Sequence, residues 1–335
     1  MRLIKELRAA GRLMRPDQWT ILTLHFLVPL MMMAPGAQGG GCWLNPAGAA
    51  ALLTGWLCWV VLLNGGTLAF NSAFDRDSGP VAYLPDPPQP PPWLAGAALG
   101  LMGLGVLLAF LVVGQAMALL VGSCVVLSVL YSAPPARLKA RPGLDLLVNI
   151  LGYGAGSTLA GFLTARAAYF GSPGVCAAGG WKTVAWPGLQ GPLGEQFTGV
   201  LAGGGSGVVV GFGLLFGSLY PLTQLYQMNA DRERGDRTLV TALGPRLSLL
   251  LAVALAVGAA GAFLQGLVAR GAGWELWLPL LALGMWIVHL GRWLHREPER
   301  DDAYREKGMY RALNLWAVVD GAVLAAWYLA GRGGS

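Results

Sequence analysis

Asn71-Ser-Ala-Phe-Asp75-Arg-Asp77-Ser-Gly79 returns, altered, as Gln227-Met-Asn-Ala-Asp231-Arg-Glu233-Arg-Gly235. Aligned, both read amide, three residues, Asp-Arg, an acid, one residue, Gly. Each follows a long apolar segment in a chain where charge is scarce. Residues four apart share a helix face, so a helical reading sets Asn71 beside Asp75 and Gln227 beside Asp231. Paired amide and carboxylate oxygens suit a hard cation such as Mg2+ rather than Zn2+. Asp77 and Glu233 lie only two positions further on. They reach the same place only if the helix unwinds toward Gly79 and Gly235.

Working outward, the 335 residues are 55% hydrophobic and only 12% charged, against about 25% charge in a soluble domain. With apolar runs of about 18 residues or more, this is the pattern of a polytopic membrane protein. The expected fold is all-α, with nine transmembrane helices around a central cavity, arranged as two pseudo-repeated four-helix halves plus a ninth helix. The spans are read at 17–36, 47–70, 93–113, 115–132, 144–167, 197–224, 241–269, 274–293 and 309–331. Residues 17–331 then form one transmembrane domain, preceded by a basic amphipathic segment, 1–16, lying on the membrane surface. No cleavable signal peptide is read at the N-terminus.

The basic residues orient this topology. The N-terminal segment and the loops 71–92, 133–143, 225–246 and 292–311 hold 19 of the 23 Lys and Arg. That places the N-terminus and both acidic motifs on the cytoplasmic side and the C-terminus outside. The net charge of +6 therefore reflects an anionic lipid surface and carries no nucleic-acid signal. Six prolines between Pro85 and Pro92 predict an extended, semi-rigid loop after the first motif. Gly152, Gly156, Gly203 to Gly205, Gly207 and Gly211 read as close helix packing. Cys58 and Cys124 read as small packing residues; Cys42 and Cys176 fall in outer loops, where a disulfide is one option. Trp181 and Trp186 read as interfacial belt residues.

Two acid clusters on one membrane face, one per half, can grip a single diphosphate through Mg2+. The metal ligands are then Asn71, Asp75, Asp77, Gln227, Asp231 and Asp236. Cations complete the neutralisation: Arg137 and Lys139 of the loop 131–141, with Arg76, Arg232 and Arg237 beside the acids. Asp75, Asp231, Lys139 and Arg137 are the candidate catalytic residues. A lipid-soluble diphosphate is, in most organisms, a polyprenyl diphosphate. Its allylic C–O bond ionises when the leaving group is stabilised, and the cation needs a dry cavity. Tyr131, Asp145, Asn149, Tyr153 and Asp320 are the candidates for lining that cavity.

Three motifs in order carry a resemblance: Asn-x3-Asp-x-Asp, then Tyr131-Ser-Ala-Pro-Pro-Ala-Arg137-Leu-Lys139, then the second motif through Asp236-Arg-Thr238-Leu. Together they are similar to the UbiA superfamily of intramembrane prenyltransferases, over nearly the whole chain. The resemblance implies Mg2+-dependent transfer of a prenyl group from a polyprenyl diphosphate to a lipophilic acceptor, which would be a quinone precursor, chlorin, carotenoid or lipid. The loop 131–141 looks more like branches acting on chlorophyllides, ether-lipid precursors and carotenoids than the 4-hydroxybenzoate branch. Naphthoate and homogentisate stay open. This chain departs from the pattern at Ser72, Gly79 and Gln227, and Leu84-Pro-Asp86 stands where an Arg-Pro pair is usual.

Two other classes compete. A polytopic transporter would place its charges at the membrane midplane, whereas here they cluster on one face. A different membrane diphosphate or alcohol transferase would concentrate aspartates in one helix pair. His289 reads as an interhelical hydrogen bond, and His295 with the neighbouring charges 292–306 reads as a solvated loop.

Overall fold

A computed structural model describes residues 2–34, 46–75, 79, 81–170, 192–233, 235–297 and 301–332. Arg76, Asp77, Cys42, Cys176, Trp181 and Trp186 lie outside the described residues. The described chain is all-helical, and eight of its helices are long and apolar enough to cross a membrane. A carbonyl or amide in hydrocarbon has no water to bond, so each spanning segment satisfies its backbone internally by coiling.

The chain divides into two compact units. The first comprises residues 1–136 and 159–200. It begins with α1 (Arg2–Leu13) and α2 (Trp19–Met32). It continues through α3 (Pro46–Asp75), α4 (Leu94–Val113) and α5 (Gln115–Ser132). The second half of α6 (Leu144–Phe170) and α7 (Leu193–Leu201) complete it. α3 winds as a π-helix over Leu57–Gly65, a local over-wide turn often found near functional residues. Helix contact in this unit depends on small residues: a Cβ on Gly66 would meet the Met102 side chain at 2.6 Å. One on Gly161 would press on the Phe26 carbonyl at 2.6 Å.

The second unit comprises residues 137–158 and 201–335. It contains the first part of α6, then α8 (Gly205–Leu225) and α9 (Met228–Glu233). α10 (Leu239–Ala269), α11 (Trp274–Arg296) and α12 (Asp302–Arg332) follow. α6 passes through a second π segment at Ile150–Gly156. A Cβ on Gly154 would lie 2.7 Å from Gly213 Cα, and one on Gly207 would lie 2.5 Å from the Gly266 amide. The glycines thus bring α6, α8 and α10 into backbone contact. Gly152 differs from the packing expectation, since nothing lies within 4 Å of a Cβ there.

Among the described residues the nine-span count is not met exactly, and the difference lies at the first helix. α2 has 14 residues, about 21 Å of helix against a hydrocarbon core of about 30 Å. Eight described helices, not nine, therefore meet the length of a span. The predicted span 197–224 is two helices, α7 and α8, separated at Gly203 and Gly204, both at positive φ. α10 is broken at Gly244, where φ is +76° ahead of Pro245. A side chain is strained at that φ, and the proline removes the next helical donor.

Among its described residues, the segment 292–306 is also not a solvated loop. Glu297 and Arg305 are both buried and pair at 2.6 Å. Trp293 Nε1 donates to Glu297 at 2.6 Å, and Arg305 reaches Asp302 at 3.1 Å. The ion pair ties Glu297, just past α11, to Arg305 in the first turn of α12, which begins at Asp302, seven residues before its predicted start at 309. His289 does make an interhelical bond, to the Gly308 carbonyl at 3.0 Å. Cys58 and Cys124 are buried, free thiols.

Candidate active site

The first motif is the C-terminal turn of α3. Asn71 and Asp75 are both helical, and Asp75 is the helix's last residue. They therefore stand one turn apart on one face, as their spacing requires. Ser132, the buried last residue of α5, donates to Asn71 Oδ1 at 3.0 Å. One turn earlier the Thr67 and Ser128 hydroxyls meet at 2.8 Å. A polar seam thus runs along α3 and α5 toward Asp75, and it fixes the rotamer of the amide that accompanies the carboxylate.

The basic loop spans the boundary between the units. Tyr131 sits at the end of α5, and Arg137 opens the second unit. Arg137 is a non-glycine residue at φ +37° immediately before a 3-10 turn, Leu138–Ala140. Such a backbone is costly, and surrounding structure must hold it. Its guanidinium pairs with Asp236 at 3.1 Å. Asp236, expected as a metal ligand, is here held by an arginine expected at the diphosphate. Lys139 lies within the turn and is buried.

The second motif has the helical form its spacing predicts. The Asp231 amide donates to the Gln227 carbonyl at 2.9 Å, so Gln227 and Asp231 also stand one turn apart. Asp231 is buried, and Gln227 Nε2 donates to the Tyr226 hydroxyl at 2.8 Å. α9 then ends on Gly235 at φ +75°. The Gly235 amide bonds the Arg232 carbonyl at 3.0 Å, and the Asp236 amide bonds the Asp231 carbonyl at 2.9 Å. This is a Schellman ending, which needs glycine at the left-handed position. The helix persists through Glu233 and breaks only at Gly235, beyond which Asp236 pairs with Arg137. Arg232 and Arg237 are exposed. Asn229 ties α9 to α12 through Asp302 at 3.2 Å.

Asp145 is the residue whose surroundings differ most from expectation. It is fully buried. Oδ1 accepts from the Gly143 amide at 2.8 Å and the Leu146 amide at 2.9 Å. Oδ2 accepts from Gln224 Nε2 at 2.9 Å and the Leu239 amide at 2.8 Å. With four donors taken, the carboxylate does not line a cavity; it binds α6 to the end of α8 and caps the N-terminus of α10. Asn149 donates to the Asp145 carbonyl at 2.8 Å, so it serves the same knot. The second motif lies between Gln224 and Leu239 and is gripped at both ends.

Tyr153 stacks on Phe216, with ring centroids 5.5 Å apart and planes 12° apart. Phe216 meets Trp316 edge-on at 5.8 Å, and Phe212 lies 6.1 Å from Trp316. Asp320 is buried on α12 one turn beyond Trp316. Phe212, Phe216 and Trp316 were not singled out from the sequence. Their signal was the four-residue spacing of Phe212 with Phe216 and of Trp316 with Asp320.

Among the described residues no group of three or more His, Cys, Asp or Glu gathers in the manner of a metal cluster. The candidate oxygen donors are Asn71 and Asp75 in the first unit and Gln227 and Asp231 in the second. All offer hard oxygens and none a thiolate or imidazole, so the chemistry fits Mg2+.

The sequence model of the UbiA prenyltransferase family matches residues 26–318. No curated relative matches the chain. Among solved structures, a digeranylgeranylglyceryl phosphate synthase is similar at a TM-score of 0.63 and 13% identity, covering 97% of this chain and 99% of that one. A UbiA homologue from Archaeoglobus fulgidus bound to GPP and Mg2+ has a TM-score of 0.53 and 15% identity, covering 95% of this chain and 99% of its own. A UbiA homologue from Aeropyrum pernix K1 has 0.55 and 17%, covering 91% and 97%. Likeness at such low identity speaks for the fold, while the family match over most of the chain speaks for membership. The chain belongs to the UbiA prenyltransferase family.

Proposed function

We propose that this protein transfers a prenyl group from a polyprenyl diphosphate to a lipophilic acceptor, with Mg2+ bound by Asn71, Asp75, Asp77, Gln227 and Asp231. One observation carries the reading: in both motifs an amide and a carboxylate stand one helical turn apart, in a chain of a prenyltransferase family. The relative from Archaeoglobus fulgidus, bound to GPP and Mg2+, supports the choice of ligand. Mg2+, when bound, neutralises the diphosphate and stabilises it as a leaving group.

The chain's own residues do the rest. Lys139, with Arg76, Arg232 and Arg237, adds positive charge against the departing oxygens. Arg137, held by Asp236, keeps the basic loop against the second motif. The allylic C–O bond breaks with its electron pair going to the diphosphate, and a nucleophilic atom of the acceptor bonds the carbon and gives up a proton. Tyr153 and the rings beside it supply apolar walls that keep water from the cation. The basic loops set these groups at the cytoplasmic face.

Vesicles containing the purified protein and a radiolabelled prenyl diphosphate should release diphosphate only with Mg2+ present, and chelation should stop it. Release that is indifferent to chelation would overturn the metal reading. Lys139→Ala should raise the KM for prenyl diphosphate about tenfold while the KM for acceptor stays within about twofold, since a charge-assisted contact is worth about 1.5–3 kcal/mol. The opposite order would remove Lys139 from the diphosphate.

A further inference from the structure

The strongest feature outside the two motifs is the way α1 is attached. Its residues sort onto three faces. Leu13, which is buried, and Glu6 turn toward the protein. A second face carries Leu3, Ile4 and Leu7, which are 62%, 57% and 55% exposed. Exposed Lys5 and Arg8 form the third, adjoining the apolar face. A helix with a bare apolar face bordered by bases fits the headgroup layer of an anionic bilayer, where apolar side chains enter and basic ones meet lipid phosphate. α1 also leads directly into the membrane helices through Pro16–Gln18 and α2.

The protein-facing side does not rest on a spanning helix alone; it holds the proline-rich strap that follows the first motif. Trp93 Nε1 donates to Glu6 Oε2 at 2.9 Å, and Arg12 donates to the Asp86 carbonyl at 2.7 Å. Arg2 occupies the other Glu6 oxygen at 2.8 Å. The Trp93 hydrogen bond and then Arg2 hold the Glu6 carboxyl below its ordinary range, so it stays an acceptor at any physiological pH. Just past α1, Met14 packs on Gly65 of α3, where a Cβ would lie 2.7 Å from its Cε. Residues 2–14 therefore touch both the strap after the first motif and α3, which bears that motif.

We infer that α1 is a docking surface for anionic phospholipid, and that its seating on the bilayer tightens the strap Val81–Trp93 and so steadies the turn bearing Asn71 and Asp75. A strap of six prolines resists bending, so two latches, at Asp86 and Trp93, are enough to position it. The effect on catalysis rests on the proposed prenyl transfer; the docking itself does not.

Hydrogen–deuterium exchange of the full protein separates the two, because it needs no turnover. The protein is placed in nanodiscs of phosphatidylcholine alone or with about a third phosphatidylglycerol. Each basic residue near an anionic surface strengthens binding about fivefold. Amides of residues 2–13 and 81–89 should exchange at least about tenfold more slowly with phosphatidylglycerol. Lys5→Gln with Arg8→Gln should abolish that difference in both segments. Trp93→Phe with Arg12→Ala should keep a difference at 2–13 and lose it at 81–89. Equal exchange in the two lipids overturns the anionic docking. A lipid-dependent strap that survives Trp93→Phe with Arg12→Ala overturns the latch. If exchange behaves as expected but Mg2+-dependent diphosphate release is absent, the docking stands and the proposed function fails.

Discussion

Asp231→Ala, and separately Asp75→Ala, should lower prenyl transfer about a thousandfold or more while leaving the protein folded and inserted. Losing a carboxylate that holds Mg2+ forfeits several kcal/mol of leaving-group stabilisation. At about 1.4 kcal/mol per decade, a loss of about 4 kcal/mol gives that factor. Both helices are expected to persist in the variants. Asp75 is the last residue of α3, where a negative charge opposes the helix dipole, so alanine there is neutral or slightly stabilising. Asp231 lies within α9, and the bond from the Asp236 amide goes to its backbone carbonyl, which alanine retains.

The double variant adds a sharper test. If both carboxylates serve one diphosphate, Asp75→Ala with Asp231→Ala should be little worse than the poorer single variant, because residues acting as a unit are non-additive. Multiplicative losses would separate the two motifs into independent sites. Full activity in either single variant, measured per folded molecule by melting and turnover on one preparation, would remove the metal clamp altogether.

The parts of the fold that were legible depend on short-range physics. Apolar runs located the spanning helices, and α5 matches its predicted limits of 115–132. Four-residue spacing placed Asn71 with Asp75 and Gln227 with Asp231, since a helix pairs such residues wherever it packs. Gly235 announced the end of α9 because a left-handed backbone favours glycine. What could not be read depends on partners distant in the chain. Asp145 looks like any acid at a helix start until Gln224 and Leu239, 79 and 94 positions away, are brought to it. Glu297 and Arg305 looked solvated because charge was dense around them; Trp293 and the pairing of the two side chains take them out of water. The π segments have no local signature either, as they arise where packing displaces a helical bond.

Asp145→Asn should cost activity more than stability. The substitution keeps the volume, but an amide presents one accepting oxygen where the carboxylate presents two. Its NH2 must face either the Gly143 and Leu146 amides or the Gln224 and Leu239 donors, so one pair of N–H groups is left facing another donor. In water-soluble cores, breaking such a charge-assisted set costs about 3–5 kcal/mol. Interhelical hydrogen bonds in membranes average only about 0.6 kcal/mol, because the unfolded chain in lipid also finds partners. The loss in folding stability should therefore be about 1–3 kcal/mol. The functional loss should be larger, because the pair of bonds from Gln224 and Leu239 spans the whole second motif. A misplacement of about 1 Å at Asp231 lowers rate about a hundredfold. The expected result is a fall in kcat per folded molecule of about tenfold to a hundredfold, with the KM for acceptor nearly unchanged. Gln224→Leu, which removes one donor and leaves three, should fall between Asp145→Asn and the unaltered protein. If Asp145→Asn reduces only the yield of folded protein while kcat per folded molecule is preserved, the residue merely holds helices together and does not position the second motif.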